Sequence, residues 1–296
     1  MGRSGCETGA ASWSEQGSLG FLSQLGLNTG GFDIIVDRQP RSGVTGRLAT
    51  SVNLVEDGVR VLNWSWGIHR VGSVSIDGNR VQANVRSSLA FDGYEKLVER
   101  FFFWLKHHHP NVVVVNSAGN SFSTIDAQDN RLPSAFRSDQ LLVVGGHQLS
   151  GRNVDVRDAR FVVRRGTSNV GRRVDITATA CVRNPFARGA SACGTSYAAA
   201  LVTGVVAAML SINPALEPRL IRVLLRQSAL PMAGGRSTGS AAIEPTLPLQ
   251  PGERLNETES SIVQYARLDM HHALVLALKS LAAPAVVSTQ RSPSER

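Results

Sequence analysis

A Gly-Thr-Ser turn that runs straight into an alanine-rich apolar segment, Gly194–Gly204, constrains this chain more than any other feature. It predicts a buried helix with Ser196 in its first turn, kept slim by small side chains so that it can lie close against a sheet. Gly194 is expected to allow a backbone geometry that a side chain would hinder. The helix start would aim unpaired N–H groups and a positive dipole end at whatever Ser196 attacks. The plainer alternative is a simple helix cap.

Strands and helices alternate along most of the chain. Apolar, partly β-branched runs predict strands over 32–36, 59–67, 111–116, 141–146, 161–163 and 174–178. Helical spacing of apolar residues predicts helices over 45–57, 92–106, 217–228 and 266–281, besides the one at 196. Residues 68–90 are expected to form a surface excursion, and 231–260 a long loop. The pattern predicts an α/β fold with a mostly parallel central sheet, helices on both faces, and a site at the carboxyl ends of the strands.

Length and composition fit one domain. With 296 residues and 42% hydrophobic content, the chain can bury a large core, which we assign to residues 32–282. Residues 1–31 are predicted to be irregular, and 283–296 a disordered tail. We expect a monomer. We expect no membrane partner, since no apolar run approaches the roughly 18 residues of a spanning helix. The N-terminal residues also lack the pattern of a signal peptide.

The charge and the metal-binding residue types predict neither nucleic-acid binding nor a metal site. The net charge of +8 comes almost entirely from scattered arginines, which favours a general arginine bias over a nucleic-acid surface. The tract His107–His109 stands where cations suit a helix C-terminus, and Asp126, Asp129 and Asn130 are expected to be solvated loop residues. Cys6, Cys181 and Cys193 lack zinc spacing. The last two flank one loop and either form a disulfide or, as slightly favoured, remain buried thiols.

Three motifs together resemble the subtilisin-like serine proteases. Gly194–Gly204 resembles the family's Gly-Thr-Ser-Met-Ala-x-Pro segment, which carries the nucleophile. Val61–Gly67 resembles the substrate strand Val-Ile-Asn-Met-Ser-Leu-Gly, and Val112–Asn120 resembles a strand that ends in Ala-x-Gly-Asn. Segments 32–38 and 267–274 extend the match in the right order. The resemblance implies a three-layer subtilisin-like fold that is N-terminally incomplete.

The same resemblance implies a serine-type endopeptidase that acts on peptide or protein substrates. Ser196 would be the nucleophile, and the Asn120 amide with the Ser196 N–H would stabilise the oxyanion. The alternative for Asn120 is an ordinary turn residue. The substrate-binding residues implied are Ser65, Trp66, Gly67, Ser117, Ala118 and Gly119. Trp64 and Trp66 either narrow the cleft or pack into the core. No cofactor is implied except calcium, for which no ligand loop is evident.

The family's two other catalytic motifs do not occur in this sequence. A serine hydroxyl needs a base, which this family takes from a histidine oriented by an aspartate. The sequence contains neither form of the family's aspartate motif, Asp-Thr-Gly or Asp-Ser-Gly, and it also lacks the histidine motif His-Gly-Thr-His. Asp33 and Asp37 lie in a region that matches the family downstream of the missing histidine, so neither is assigned the aspartate role. Ala200 and Leu201 replace the family's usual Pro and His and are smaller departures.

Three interpretations stay open. The favoured one is an endopeptidase whose given sequence lacks an N-terminal piece, so upstream codons would encode the Asp and His and, if it is secreted, a signal peptide. The second is a catalytically inactive module that binds extended peptides at the Ser65–Gly67 edge. The third is a hydrolase of another substrate class that uses His147 or His69 as its base.

Overall fold

The computed structural model describes residues 32–35, 43–69, 83–121, 125, 131–134, 136–171, 173–183, 191–232 and 266–281. The predictions for residues 1–31, most of 231–260 and 283–296 lie outside these residues, as do those for Asp37, Asp126, Asp129 and Asn130. The domain bounds of 32–282 remain a prediction.

Helices and strands alternate as the sequence predicts. The helices are α1 (Gly43–Glu56), α2 (Ala83–His108), α3 (Thr195–Ile212), α4 (Pro218–Ser228) and α5 (Met270–Ser280). The strands of the first half are β1 (Val61–Trp64), β2 (Ile68–His69), β3 (Val113–Ser117), β4 (Arg131–Leu132) and β5 (Leu141–Leu149). The later strands are β6 (Val162–Arg164), β7 (Ile176–Thr179), β8 (Cys181–Arg183), β9 (Ser191–Cys193), β10 (Leu230–Pro231) and β11 (Ala266–Arg267).

One mostly parallel sheet organises the described residues. Its strands run in the order β1-β3-β5-β7-β11-β10, with β6 paired to β5 outside this path. The pairs β1–β3, β3–β5, β5–β7 and β7–β11 are parallel, whereas β6 and β10 pair antiparallel with their neighbours. Parallel strands put their carboxyl ends at one edge, so Trp64, Ser117 and the residues that follow them meet there. The predicted α/β fold with a mostly parallel sheet is confirmed.

Helices cover both faces of this sheet, because its central strands are apolar on both sides. Along β3, Val113 and Val115 pack into a core shared with α3, α4 and α5. Val114 packs instead into a second core shared with α1 and α2. This alternation follows from the two-residue period of a strand, and it explains why β3 is a continuous valine run. The three-layer arrangement is confirmed.

Three element predictions were wrong. Residues 32–35 form no strand; Ile34 and Ile35 are 42% and 58% exposed, so a strand there would bury little apolar surface. Helix α2 begins at Ala83, well before the predicted residue 92, because extending a formed helix costs far less than nucleating one. Ala266 and Arg267 form β11 rather than helix, because pairing with β7 and β10 outweighs their local helical pattern.

Helix α3 also corrects the expectation about apolar runs. Thr195–Ile212 is long and apolar enough to cross a membrane by length and composition, with a mean hydropathy of 1.7. In this fold 61% of the segment is buried, against the sheet and α5. The apolar content of α3 is therefore that of a core helix.

Candidate active site

The turn before α3 brings Ser196 to the carboxyl edge of the sheet. Ser196 is half-buried in the first turn of α3, and the side chain of Thr195 before it is fully buried. Gly194 has φ 174°, an extended conformation open to any residue, so the expected special backbone at this glycine was wrong. A Cβ at Gly194 would instead stand 3.4 Å from Asn120 Nδ2. The glycine keeps open the space beside that amide.

Two reciprocal hydrogen bonds join the end of β3 to the start of α3. The backbone N–H of Thr195 donates to Asn120 Oδ1 at 2.9 Å, and the N–H of Gly119 donates to Thr195 Oγ1 at 3.0 Å. The first bond occupies the carbonyl oxygen of the Asn120 side chain and leaves its NH₂ group as the free end. Among the described residues no acceptor pairs with that Nδ2. A donor fixed in this way beside a helix N-terminus suits a developing oxyanion.

Asn169 holds the loop that carries Asn120. Its Nδ2 donates to the carbonyl oxygen of Ala118 at 2.9 Å, and its backbone N–H donates to Gly119 O at 2.8 Å. Its Oδ1 accepts from the N–H of Ser121 at 2.9 Å. Gly119 has φ +103°, a conformation that side chains disfavour, so a glycine is needed there. Buried Asn169 thus binds the backbone on both sides of Asn120.

Buried Asn116 connects β3 to the edge where β1 ends. Its Nδ2 donates to the carbonyl oxygens of Trp64 and Trp66, at 2.8 and 2.9 Å, while its Oδ1 accepts from Ser134 Oγ at 3.0 Å. Ser65 lies between the two tryptophans, and its Oγ donates to Ser196 O at 3.4 Å. These bonds set the segment after β1 against both the Asn120 strand and the Ser196 helix.

A cleft of about 410 Å³ lies between these elements. Its described lining residues are Gly43, Val44, Arg47, Ser65, Trp66, Gly67, Ile68, Tyr94, Ser117, Asn120 and Ser196. Six of the predicted site residues are in this set. Ala118 and Gly119 are not: both are buried behind the wall, where their N–H groups bond Val144 O and Thr195 Oγ1. Their contribution is to the backbone that carries Asn120.

Trp64 and Trp66 differ in burial, although their rings are in contact, with centroids 5.0 Å apart. Trp64 is 3% exposed and packs against Phe101 and Phe102, with its indole N–H donating to Ser51 Oγ at 2.9 Å. Trp66 is half-buried and lines the cleft. Residues two apart on an extended segment point to the same side, which is how the two rings meet. β1 ends at Trp64, so Trp66 lies just beyond the strand, where its ring packs on Trp64 and also lines the cleft.

His147 is not the base for Ser196. Its ring nitrogens approach Thr177 Oγ1 at 3.0 Å and Thr179 Oγ1 at 3.4 Å. Burial, and then the positive charge of Arg267, lowers the pKa of His147 from 6.5 to about 3. The preceding Gly146 faces Thr195, so His147 on the same strand faces away from α3. His69, the other candidate base, stays an untested prediction.

The remaining charged candidates lie away from the cleft. His107 Nδ1 lies 2.8 Å from Phe103 O, and His109 Nε2 lies 3.2 Å from Glu56 Oε1, as expected for side chains at the end of a helix. Asp33 is exposed and is not part of the cleft lining. Within the described ranges, no group of three or more His, Cys, Asp or Glu residues could hold a metal ion.

A disulfide joins Cys181 on β8 to Cys193 on β9, in place of the two thiols that the sequence slightly favoured. The cysteines face each other in the antiparallel pair, with their Cα atoms 4.1 Å apart. Cys193 directly precedes Gly194, so the covalent link lies at the base of the turn that carries Ser196. Spacing alone left this pairing open because both arrangements suit a hairpin.

The sequence analysis assigned no role to four residues that hold this site together: Asn116, Asn169, Thr195 and Ser134. Asn116 carried a usable signal: a buried strand made of valines offers an asparagine no water, so its amide must find protein partners. Asn169 and Ser134 lie in segments without periodicity, and nothing local distinguishes them from loop residues.

The comparisons with known proteins concern the family and the fold of this chain. The family model of the subtilases, Peptidase_S8, described as "Subtilase family", matches residues 32–261. The crystal structure of a lanthipeptide protease is similar with a TM-score of 0.55 at 18% identity, over 91% of this chain and 77% of that one, which shows the fold. Subtilase cytotoxin SubAB aligns with a TM-score of 0.48 at 16% identity, over 83% of this chain and 69% of that one. No curated protein matches significantly. The family match spans most of the sequence, and the chain therefore belongs to the subtilase family of subtilisin-like proteases.

Proposed function

We propose that this chain is a serine-type endopeptidase of the subtilisin class, in which Ser196 is the nucleophile and Asn120 and the Ser196 N–H stabilise the oxyanion. The observation that supports it is the bond from the Thr195 N–H to Asn120 Oδ1. That bond fixes the amide next to the first turn of α3 and leaves its NH₂ donor without a described acceptor. A donor held before the reaction need not reorganise during it.

The proposed reaction is acyl transfer in two steps. Ser196 Oγ bonds to the carbonyl carbon of an extended peptide and gives its proton to a base, and the carbonyl oxygen becomes the oxyanion. Collapse of this intermediate breaks the C–N bond, and the amine leaves with the proton. Water then attacks the ester on Ser196, which releases the acid and restores the hydroxyl. The reaction requires a base that can take and return one proton.

Binding of peptides without hydrolysis is the second candidate function. One observation favours it: no histidine or carboxylate is among the described residues that line the cleft. The segment at Ser65–Gly67 follows β1, the end strand of the sheet among the described residues, and an extended peptide could add to this segment by backbone hydrogen bonds. Without a base, a preformed oxyanion site and binding leave only about 10³–10⁴-fold acceleration over water.

Labelling with a fluorophosphonate probe separates the two functions. The folded 296-residue chain is compared with Ser196→Ala, and with Ser121→Ala as a matched serine on the neighbouring loop. Label on the parent and on Ser121→Ala, but not on Ser196→Ala, supports the endopeptidase. A folded parent that takes no label, yet binds an extended peptide, contradicts the endopeptidase and supports the binding module.

If the parent is unlabelled, added imidazole tests whether only the base is missing. Imidazole can accept the Ser196 proton, so Ser196-dependent labelling should then rise in proportion to its neutral form. Labelling that stays absent would count against Ser196 as a poised nucleophile.

A further inference from the structure

Arg47 is the one charged residue in the described lining of the cleft, and its charge is positive. Arg47 lies on α1 and is exposed, and it lines the same cleft as Ser196. Within the described part of the chain its guanidinium has no carboxylate partner. The net charge of the whole chain, +8, adds to a positive potential rather than cancelling it. An unpaired cation in a concave site attracts a ligand of opposite charge.

We infer that Arg47 makes this cleft selective for extended peptides that carry an acidic side chain. The inference rests on the proposed peptide-binding cleft and names the class of peptide that it takes. Recognition would be an Asp or Glu carboxylate on the guanidinium, which offers its N–H groups in a planar fork.

Trp66 gives Arg47 a defined place in the cleft. The guanidinium carbon of Arg47 lies 5.6 Å from the centre of the Trp66 ring, within the range of a cation–π contact. Such a contact uses the charge of the cation and leaves its N–H groups available to a carboxylate. Trp66 is in turn anchored by the bond from Asn116 to its carbonyl oxygen. The arginine is thus tied to the edge that would hold the peptide.

The geometry of an extended peptide restricts the preference to particular positions. A peptide that pairs with the Ser65–Gly67 edge turns successive side chains to opposite sides. Only positions of one parity can face the side chain of Trp66, and Arg47 beside it. The acidic preference should therefore appear at one position, or at two positions that differ by two, and not along the whole peptide.

The test is a position scan on the full chain carrying Ser196→Ala, so that no peptide is consumed. A neutral extended peptide is varied at each position in turn to Glu, Gln and Lys, and affinities are measured by calorimetry. At the selected position we expect Glu to bind about two- to fivefold tighter than Gln, and Lys to bind weaker, as for one ion pair with an exposed arginine. The preference should shrink at high salt.

Two variants keep the test specific. Arg47→Glu should reverse the order at the same position, so that Lys binds best. Arg100→Glu, which makes the same change of two charges at an exposed position of α2, should leave the preference unchanged. Peptides that bind without charge preference, or a preference that survives Arg47→Glu, would overturn the inference alone. Failure of every peptide to bind would overturn the proposed binding cleft together with it.

Discussion

The two walls of the cleft are built on different principles. The wall with Asn120, Thr195 and Ser196 is fixed by two hydrogen bonds between distant segments, one buried and one partly buried. The opposite wall presents exposed Arg47 and half-buried Tyr94 on helices, and the guanidinium of Arg47 is placed by its cation–π contact with Trp66. The difference teaches that the proposed reactive groups are placed by directional hydrogen bonds, whereas the cation that would choose a peptide is placed by a less directional contact. Substitutions on the first wall should cost rate or stability, and those on the second only selectivity.

The largest effect is expected from Asn120→Ala. It removes the proposed oxyanion donor, so the rate of Ser196-dependent labelling should fall by about 10²–10³, a magnitude taken from subtilisin rather than derived from this structure. Peptide affinity on the Ser196→Ala background should change little. Equal losses in affinity and labelling would show that Asn120 only shapes the wall.

Asn116→Ala should be the most destabilising of these changes. It leaves the carbonyls of Trp64 and Trp66 and the hydroxyl of Ser134 without this partner, at about 3 kcal/mol in the free energy of unfolding. Urea unfolding measures it. Asn63→Ala is the matched control: Asn63 is also an amide beside Ser65, but it is exposed, and its loss should cost less than about 0.5 kcal/mol. Similar losses in the free energy of unfolding for both variants would show that the hydrogen bonds of Asn116 do not stabilise the fold more than those of an exposed amide.

The free energy of unfolding, measured at several pH values, tests the buried His147 on β5. His147 is neutral in the folded chain, with a pKa of about 3, but ionises with a pKa near 6.5 when unfolded. Between these values the unfolded chain binds more protons, so the free energy of unfolding should fall as pH falls, by about 2 kcal/mol from pH 7 to 5. His147→Gln should flatten this slope. An unchanged slope would assign the acid sensitivity to other groups.

Thr195→Val should have the smallest effect of the four, about 1–2 kcal/mol. The variant keeps the volume and leaves the Gly119 N–H without its acceptor. Thr203→Val at a half-buried position of α3 is the control, because its hydroxyl only donates, to Ala199 O and to Asn63 Oδ1, and its loss leaves no backbone N–H without an acceptor. If the two variants unfold alike, leaving the Gly119 N–H without its acceptor has no cost of its own.

The sequence predicted what depends on local pattern. β3 and α3 have strong apolar patterns, so both were found close to their observed bounds, and the three motifs placed Ser196, Asn120 and Trp66 at one sheet edge. β11 was missed because two residues form a strand only through their neighbours. The hydrogen bonds that fix the loop of Asn120 were missed because their partners are far apart in the sequence. Gly119 and Thr195 are 76 residues apart, and Ala118 and Asn169 are 51 apart. No window of sequence contains both partners.

The disulfide before Gly194 has a consequence for the integrity of the chain. Cys181 and Cys193 stand on both sides of a short segment, so the backbone could be cut anywhere between them without releasing the C-terminal part. The piece with Ser196 would stay covalently joined to the piece with Asn120, and β8 and β9 would stay in register. On a gel such a nicked protein would run as one band without reductant and as two with it. One break in this segment would thus leave the turn that carries Ser196 joined to the rest of the chain.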